Sequence, residues 1–333
     1  MRRVGAASLV FGPALLAGCS SMPLSYLDAD SPIGGRLAQL GWGLLGISVL
    51  VVVIIAVLLV GAVARGRSSP DGDALAVRRD AGGMRWIYIG VSISTVALIA
   101  SVIWTLLTLK AVAEPAKAAP MTIEIRARQW WWDAIYRAPR PDLQFSTANE
   151  IHIPVGVPVR IELRSDDVIH SFWVPKLAGK TDVIPGQANR MWIEATKPGI
   201  YRGQCAEYCG VEHALMSFRV VADPLPEFTA WRARQLRGMQ VRDGVAAAGS
   251  RVFAEHCSAC HAIHGTGFGG AYGPDLTNLG ERRTLAAGVL DNNPDNLRRW
   301  IEHAQEVKPG ARMPDVPLPP NEVGPLVAYL EGR

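Results

Sequence analysis

Four potential metal ligands lie within twelve residues near the middle of the chain. Cys205 and Cys209 can supply thiolates, His213 an imidazole and Met216 a thioether. Soft sulfur ligands suit copper, although thiolates combined with imidazole also suit zinc. Met216 favours copper, because a thioether is a poor zinc ligand and a suitable weak copper ligand. A second imidazole is available 35 residues upstream, at His170.

The other cysteines favour the same interpretation over a disulfide framework. The chain has five cysteines, and each falls inside a pattern with its own chemistry: Cys19, Cys205, Cys209, Cys257 and Cys260. A bridge between Cys205 and Cys209 in an oxidising compartment is the alternative. The histidine and methionine that follow this pair favour metal binding instead.

A second cluster, Cys257-Ser-Ala-Cys260-His261, lies near the C-terminus. This Cys-x2-Cys-His pattern is the attachment signature of c-type haem, with two thioethers to the porphyrin and a histidine on the iron. The only methionine after His261 is Met313, in a proline-rich loop able to approach the iron. A thioether ligand opposite histidine raises the redox potential of the haem. An electron carrier near the oxygen end of an electron-transport chain requires such a raised potential. The rival sixth ligands are His256, His264 and His303.

The N-terminus has the features of an export signal. Arg2 and Arg3 precede an apolar run that ends in Leu16-Ala17-Gly18-Cys19. This ending resembles a bacterial lipoprotein box, which implies that residues 1–18 are removed as a signal peptide. It also implies a lipid anchor on the sulfur of Cys19. A simple signal peptide with a chance cysteine is the alternative.

Two uncharged stretches of 24 residues follow, 40–63 and 86–109. Each predicts a helix of ~36 Å, enough to cross a hydrocarbon core of ~30 Å. The sequence between them has five arginines against three aspartates, which places this loop in the cytoplasm. Residues 19–112 are therefore predicted to form a lipid anchor and a two-helix transmembrane hairpin in the bacterial cytoplasmic membrane. The rest of the chain is expected on the periplasmic, extracytoplasmic side.

From Met121 the hydrophobic pattern changes to a period of two. Short alternating segments broken by glycine and proline predict an antiparallel barrel or sandwich. Within this region, four segments resemble cytochrome c oxidase subunit II: residues 170–175, 179–182, 184–186 and 203–210. The resemblance spans roughly residues 40–221. It implies a cupredoxin-like Greek-key β-barrel over residues 120–223 that holds the binuclear copper centre CuA.

The resemblance also implies roles for individual residues. The thiolates bridge two coppers, two histidines are terminal ligands, and a thioether and the carbonyl of residue 207 are weak axial ligands. The residues concerned are His170, Cys205, Glu207, Cys209, His213 and Met216.

Two further roles, for Glu207 and Trp130, are implied outside the copper ligands. The Glu207 carboxylate would bind magnesium at the interface with the catalytic subunit, and a hard carboxylate suits that ion. A solvated loop charge is the alternative. Trp130, in Gln129-Trp130-Trp131-Trp132, would be the point where electrons enter CuA. A core or interface tryptophan is the alternative, because three adjacent rings cannot all relay electrons.

Two departures from the family pattern limit what the resemblance carries over. No carboxylate lies directly before Trp86, where the family often has the glutamate of a proton channel, and Asp80 is the nearest substitute. Gln187 stands where the family favours arginine.

The C-terminal region resembles class I cytochromes c. The resemblance is carried by residues 273–276, Gly-Pro-Asp-Leu, and residues 312–314, Arg-Met-Pro. It implies an all-α domain over residues 244–333, joined to the β-domain by a linker at 224–243 with a helical middle. Asn293 is predicted to cap a helix that has Pro294 at its first position. Trp300, on that helix, is expected to pack against the haem.

Together these features predict the electron-accepting subunit of a caa-type, proton-pumping terminal oxidase. Electrons would pass from a cytochrome c-type donor or a cytochrome bc complex, through haem c and CuA, to subunit I, with subunit III as a further partner. The oxygen-reducing site would lie on another subunit. The net charge of +4 over 333 residues gives no support for a nucleic-acid partner. The alternatives are a copper and haem lipoprotein outside any oxidase, and a quinol-oxidase subunit, which would lack the copper ligands.

Overall fold

The structure is a computed structural model that describes residues 24–66, 83–239 and 245–332. Residues 35–118 form one compact unit, and residues 119–333, with the segment that ends at Gly34, form another. The two predicted globular domains therefore share a compact unit. The predicted signal peptide, Cys19 and Asp80 lie outside the described residues, as does the end of the predicted linker.

Two long helices, α1 (Pro32–Gly66) and α2 (Met84–Ala113), contain the two predicted spans. Both are long and apolar enough to cross a membrane. Most of their large apolar side chains are exposed, with Leu58 and Val96 each 67% exposed, although Ile33 at the start of α1 is buried. A core helix of a soluble protein would bury one such face. Length, composition and exposure together agree with the predicted membrane hairpin.

The β-domain contains ten strands in two five-stranded sheets. The first sheet has the order β3-β2-β1-β5-β8 and the second β4-β10-β9-β6-β7. The strands are β1 Met121–Arg128, β2 Trp131–Arg137, β3 Phe145–Ala148, β4 Glu150–Pro154, β5 Val159–Ser165, β6 His170–Trp173, β7 Thr181–Val183, β8 Asn189–Ile193, β9 Gly199–Cys205 and β10 Ser217–Asp223. The arrangement is cupredoxin-like, as expected from the sequence.

Two ladders correct the expectation of purely antiparallel sheets. Strand β5 runs parallel to β1, with Ile161 opposite Ile123, and β4 runs parallel to β10, with Ile151 opposite Val220. Both ladders join strands that are distant in sequence. A period of two shows which face of a strand is buried, but it carries no information about the direction of the neighbouring strand.

An aromatic cluster joins the two sheets beneath the copper-type ligands. Trp132 of β2 is fully buried, and its ring lies 5.6 Å from Phe172 of β6 and 5.3 Å from Phe218 of β10. The same ring lies 6.0 Å from His170. This packing fixes the position of β6 relative to the first sheet. It thereby fixes the position of His170, the candidate ligand at the start of β6.

The predicted linker contains a helix, α3 (Leu225–Arg237), that packs against the β-domain. Its Trp231 is buried and stacks on His152, with ring centroids 4.2 Å apart. The rings of Tyr136 and Phe145 lie 5.3 and 5.5 Å from Trp231. The segment is therefore an ordered connector rather than a free tether over the residues of this helix.

The C-terminal domain is helical, with one short ribbon. Its helices are α4 (Val245–His256), α5 (Pro294–Glu302), α6 (Ala304–Val307) and α7 (Pro320–Leu330). The ribbon pairs β11 (Thr284–Leu285) with β12 (Leu290–Asp291), a small exception to the all-α expectation. The predicted cap of α5 is confirmed, because the Asn293 side chain accepts a hydrogen bond from the Asn296 backbone N–H at 2.9 Å.

Candidate copper and haem sites

Two of the copper-type ligands lie on neighbouring strands of the second sheet, and the others lie in the loop between β9 and β10. His170 begins β6 and Cys205 ends β9, and these strands pair so that Phe172 lies opposite Cys205. His213 lies in a single 3-10 turn, and Met216 directly precedes β10. His170 and Met216, the first and last of these ligands, are 46 residues apart in the sequence. The fold nevertheless brings all the ligands together at one end of the sandwich.

The sulfur atoms form the centre of this cluster. The Sγ atoms of Cys205 and Cys209 are 3.8 Å apart, and Cys209 Sγ lies 3.8 Å from Met216 Sδ. His170 Nδ1 lies 3.9 Å from Cys205 Sγ, and His213 Nδ1 lies 3.6 Å from Cys209 Sγ. The structure thus brings together all the side chains that the sequence selected as copper ligands.

The backbone carbonyl oxygen of Glu207 faces the same cluster, 3.3 Å from Cys205 Sγ. The Glu207 side chain points elsewhere: it is 44% exposed, and its Oε2 lies 3.8 Å from the Nζ of Lys180. The sequence predicts two roles for Glu207, a carbonyl that faces the copper ligands and a carboxylate that faces outward. This geometry is compatible with both. The magnesium ligand stays a prediction.

Burial gives the cluster an electrostatic character that suits a metal. His170 and Met216 are fully buried, and Cys205 is 2% exposed. Hydrogen bonding from the Cys209 thiol lowers the pKa of Cys205 to about 3, and the same interaction raises the pKa of Cys209. The protein by itself thus stabilises the Cys205 sulfur as a thiolate. A bound cation would favour deprotonation of the second sulfur as well.

Asp167 is a residue of the candidate site that the sequence did not single out. Its Oδ1 lies 2.8 Å from the Nε2 of His170, and its Oδ2 accepts a hydrogen bond of 2.7 Å from the Gln129 backbone N–H. Burial lowers the pKa of His170, but hydrogen bonds with Asp167 and Cys205 outweigh this effect and raise it overall. With Nε2–H donated to the carboxylate, Nδ1 is left facing the sulfurs. A carboxylate three residues before a candidate histidine ligand was the available signal.

The three adjacent tryptophans have different environments. Trp130 donates its Nε1–H to the carbonyl oxygen of Cys209 at 3.0 Å. Trp131 lies under the guanidinium of Arg128, 5.2 Å from the ring centroid. Trp132 belongs to the core of the sandwich. Of the three rings, the one that the sequence singled out is the one bonded to a copper-type ligand residue.

The haem-type residues of the Cys-x2-Cys-His motif, Cys257, Cys260 and His261, follow helix α4. The Nδ1 of His261 lies 2.7 Å from the carbonyl oxygen of Pro274, so Nδ1–H is the donor and Nε2 remains free to bind a metal. Gly273 packs against the imidazole, and a Cβ at this position would overlap the ring. The Gly-Pro segment seen in the sequence therefore orients the candidate iron ligand.

A cavity of about 440 Å³ joins the haem-type residues. Met313 lines it together with His261, so the structure brings the expected sixth ligand to the same space. Of the rival histidines only His256 is among its lining residues. Further lining residues are Cys257, Cys260, Arg282, Trp300 and, from the β-domain, Gln129, Trp130 and Trp131. The cavity thus extends from the Cys-x2-Cys-His motif to the ring of Trp130.

Comparison with known proteins assigns the two domains. Residues 135–223 match the family model "Cytochrome C oxidase subunit II, periplasmic domain", and residues 246–333 match the model "Cytochrome c". These two ranges are therefore similar to the periplasmic domain of cytochrome c oxidase subunit II and to cytochrome c. The subunit II domain implies copper and the cytochrome c domain implies haem. The fused arrangement expected from the sequence is thereby confirmed.

Several curated relatives are named cytochrome c oxidase subunit 2. That of Alkalihalophilus pseudofirmus is 42% identical over 215 residues, 62% of this chain and 60% of the relative. That of Bacillus sp. strain PS3 is 33% identical over 223 residues, 63% of this chain and 61% of the relative. The match therefore spans about three fifths of these two relatives. The Bacillus subtilis protein is 28% identical over 357 aligned positions, 97% of this chain and 96% of the relative.

Solved structures with a likeness to this chain include two oxidase components. The periplasmic domain of subunit II of cytochrome oxidase (CoxB) of Bradyrhizobium japonicum is 31% identical with a TM-score of 0.34, over 36% of this chain and 96% of that one. A chain of a heme-copper terminal oxidase dimer is 23% identical with a TM-score of 0.32, over 41% of this chain and 98% of that one.

Proposed function

We propose that this chain is the electron-accepting subunit of a proton-pumping, caa-type terminal oxidase. Electrons pass from a cytochrome c-type donor through haem c and CuA to a partner subunit that reduces dioxygen to water. One observation carries the proposal: a cluster of two thiols, two imidazoles and a thioether, of which only the His213 imidazole is not buried, lies in the same compact unit as the haem-type cavity. Trp130 lines that cavity and donates a hydrogen bond to the backbone carbonyl oxygen of Cys209, one of the cluster residues.

The donor set fits a binuclear copper centre. The thiolates of Cys205 and Cys209, the imidazoles of His170 and His213, the thioether of Met216 and the backbone carbonyl of Glu207 would hold the two coppers. Such a centre would supply a one-electron carrier, with the charge shared between two metals. The protein contributes a buried, preformed arrangement in which Asp167 holds His170 and Trp130 holds the Cys209 carbonyl.

The C-terminal cavity fits a c-type haem. Cys257 and Cys260 would hold the haem through thioether bonds, and His261 and Met313 would bind its iron. The haem supplies a one-electron carrier. Arg282 is a buried cation in the cavity wall, and burial lowers its pKa. Its guanidinium donates hydrogen bonds to the carbonyl oxygens of Asp275 and Thr277, and its positive charge would favour a cofactor with carboxylate groups.

The remaining roles are assigned by resemblance. The helices α1 and α2 would anchor the chain with its globular domains on the outer face of the cytoplasmic membrane, and Cys19 would carry a lipid. Subunits I and III of the oxidase would be the membrane partners. Glu207 would bind magnesium at the subunit I interface. A carrier outside any oxidase would need only the lipid, so the two apolar helices favour an oxidase subunit.

Replacing both Cys257 and Cys260 by alanine in the native complex tests the proposal. Oxidation of the physiological donor should slow or stop, while a small reductant that reaches CuA directly should still drive oxygen consumption. The seven-line mixed-valence copper resonance should persist.

Two results would contradict the proposal in different ways. Undiminished oxidation of the physiological donor would remove haem c from the main path. A tightly held zinc ion in place of two coppers would remove the electron-transfer role of the β-domain. The matched control is the double variant Ser258→Ala and Ala259→Ser, which changes the residues between the cysteines but keeps both thiols.

A further inference from the structure

The side chain of Lys308 crosses from the cytochrome c domain into the subunit II domain. It is 3% exposed, and its Nζ donates to the carbonyl oxygens of Trp130 at 2.7 Å and Leu215 at 2.9 Å. A third carbonyl, that of Ala286 in its own domain, lies at 3.5 Å. Burial of an ammonium is costly unless its protons are bonded. The ammonium therefore has one favourable position, between the two domains.

A tight turn of the cytochrome c domain makes a second contact close by. The carbonyl oxygen of Ala287 accepts hydrogen bonds from Ser217, at 3.1 Å from its backbone N–H and 2.9 Å from its hydroxyl. Ala286, Ala287 and Gly288 all have positive φ, of 53°, 60° and 84°. A Cβ at position 288 would overlap the Ser217 hydroxyl. The backbone of the turn between β11 and β12 thus contacts the backbone of the β-domain.

These two contacts flank Met216. Leu215 bonds to Lys308 on one side of it, and Ser217 bonds to Ala287 on the other. Met216 is fully buried with its sulfur 3.8 Å from Cys209 Sγ. Both chain neighbours of the candidate axial ligand are therefore held by the other domain, and within residues 245–333 Lys308 is the only lysine.

We propose that Lys308 and the Ala286–Gly288 turn are positioning residues for the copper centre. By holding Leu215 and Ser217, the docked cytochrome c domain determines where the Met216 sulfur lies. Through the Trp130 carbonyl it also holds the ring that lines the haem cavity. The inference rests on the proposed function of the two domains.

A consequence is that the two redox sites are coupled. The position of a weak thioether ligand tunes the potential of a copper–thiolate site. A change at the docking contact therefore alters the copper potential without touching any copper ligand. The same change alters the rate of electron transfer from haem to copper, because both depend on the same docked geometry.

Lys308→Met in the complete, cofactor-loaded oxidase tests this role. It keeps the apolar stem and removes the ammonium. We expect a shifted copper midpoint potential and altered hyperfine splitting of the mixed-valence signal, with the haem optical spectrum unchanged. Electron transfer from haem to copper after flash photoreduction should slow, because truncating a buried interfacial charge weakens the docked geometry on which the transfer depends. Lys308→Arg should recover part of the rate.

The matched control is Arg299→Met, which removes an exposed cation of the same domain paired with Glu306 at 2.7 Å. It should leave the potential, the copper signal and the rate as in the wild type. If Lys308→Met does not assemble, Ser217→Ala carries the test from the other side of Met216, with the same spectral shift expected.

Wild-type copper spectra and transfer rates in both variants would overturn the inference. Failure of the proposed function has a different signature, since the wild-type oxidase itself would then show no mixed-valence copper signal or no electron transfer from haem to copper.

Discussion

The indole Nε1 of Trp130 donates a hydrogen bond of 3.0 Å to the backbone carbonyl oxygen of Cys209. The same carbonyl accepts a second hydrogen bond, of 2.8 Å, from the Gln129 side chain. A residue that lines the haem-type cavity is therefore one hydrogen bond away from a candidate bridging thiolate residue. This hydrogen bond distinguishes Trp130 from its two tryptophan neighbours.

Trp130→Phe should slow electron transfer from haem c to copper by about tenfold or more, the size expected on loss of an outer partner of a metal ligand residue. The aromatic ring remains, but its hydrogen bond to Cys209 is lost. Flash photoreduction in the complete oxidase measures the rate. Trp131→Phe is the control and should be close to wild type, because Trp131 packs on Arg128 instead. Equal slowing in both variants would refute a specific role for Trp130.

Asp167→Ala should weaken copper binding by about 10- to 100-fold, because the carboxylate that orients His170 is lost. Competition with a copper chelator, followed through the mixed-valence signal, measures the affinity. Asp166→Ala is the matched control, because the Asp166 carboxylate pairs with Arg128 at 2.7 Å and not with a histidine ligand. Copper affinity that is unchanged in Asp167→Ala would exclude the orienting role.

His152 should stabilise the β-domain mainly below neutral pH. Its Nδ1 lies 2.6 Å from Asp223 and its Nε2 3.2 Å from Glu150. Burial lowers the pKa of His152, but hydrogen bonds to the two carboxylates raise it overall. The stabilisation is therefore fully present below the unfolded-state pKa of about 6.5 and is lost as pH rises through the folded-state value.

His152→Gln should accordingly lower the free energy of unfolding by about 1 to 3 kcal/mol at pH 6. The loss should be smaller at high pH, above the folded-state pKa. Thermal unfolding of the detergent-solubilised chain, followed by the copper absorption, measures it. His264→Gln, at an exposed position, is the control. A loss that does not change with pH would show that the charged form of His152 is not involved.

Asp133→Asn should stabilise the chain at pH 7. Burial raises the pKa of the Asp133 carboxyl to about 6, against the opposing effect of Arg128 and Arg126. The folded state therefore binds the proton more tightly, and stability falls as pH rises from about 4 to about 6.

The gain in Asp133→Asn should be about 1 to 3 kcal/mol at pH 7, and it should vanish below about pH 4, where the wild-type carboxyl is protonated in both states. The same thermal unfolding assay measures it at both pH values. A gain of equal size at pH 3.5 would mean that the effect has a source other than ionisation.

Local spacing determined much of this protein's chemistry. The donors of Cys205-x3-Cys209-x3-His213-x2-Met216 are close in sequence, so any compact loop brings them near one another. The haem motif and the two apolar stretches are equally local, since each depends on residues within one turn or one helix. Resemblance then supplied His170, whose 35-residue separation from Cys205 no local rule spans.

The tertiary structure decided what depends on long-range contact. The hydrogen bond from Lys308 to Trp130 joins residues 178 positions apart, and the one from Ser217 to Ala287 joins residues 70 apart. The parallel pairing of β1 with β5 and the separate environments of Trp130, Trp131 and Trp132 have the same origin. Such contacts depend on which surfaces meet when the strands pair, the sheets pack and the two domains dock. A residue type and its neighbours in sequence do not specify those surfaces, because the free energy that selects them comes from burial and bonding across the whole interface.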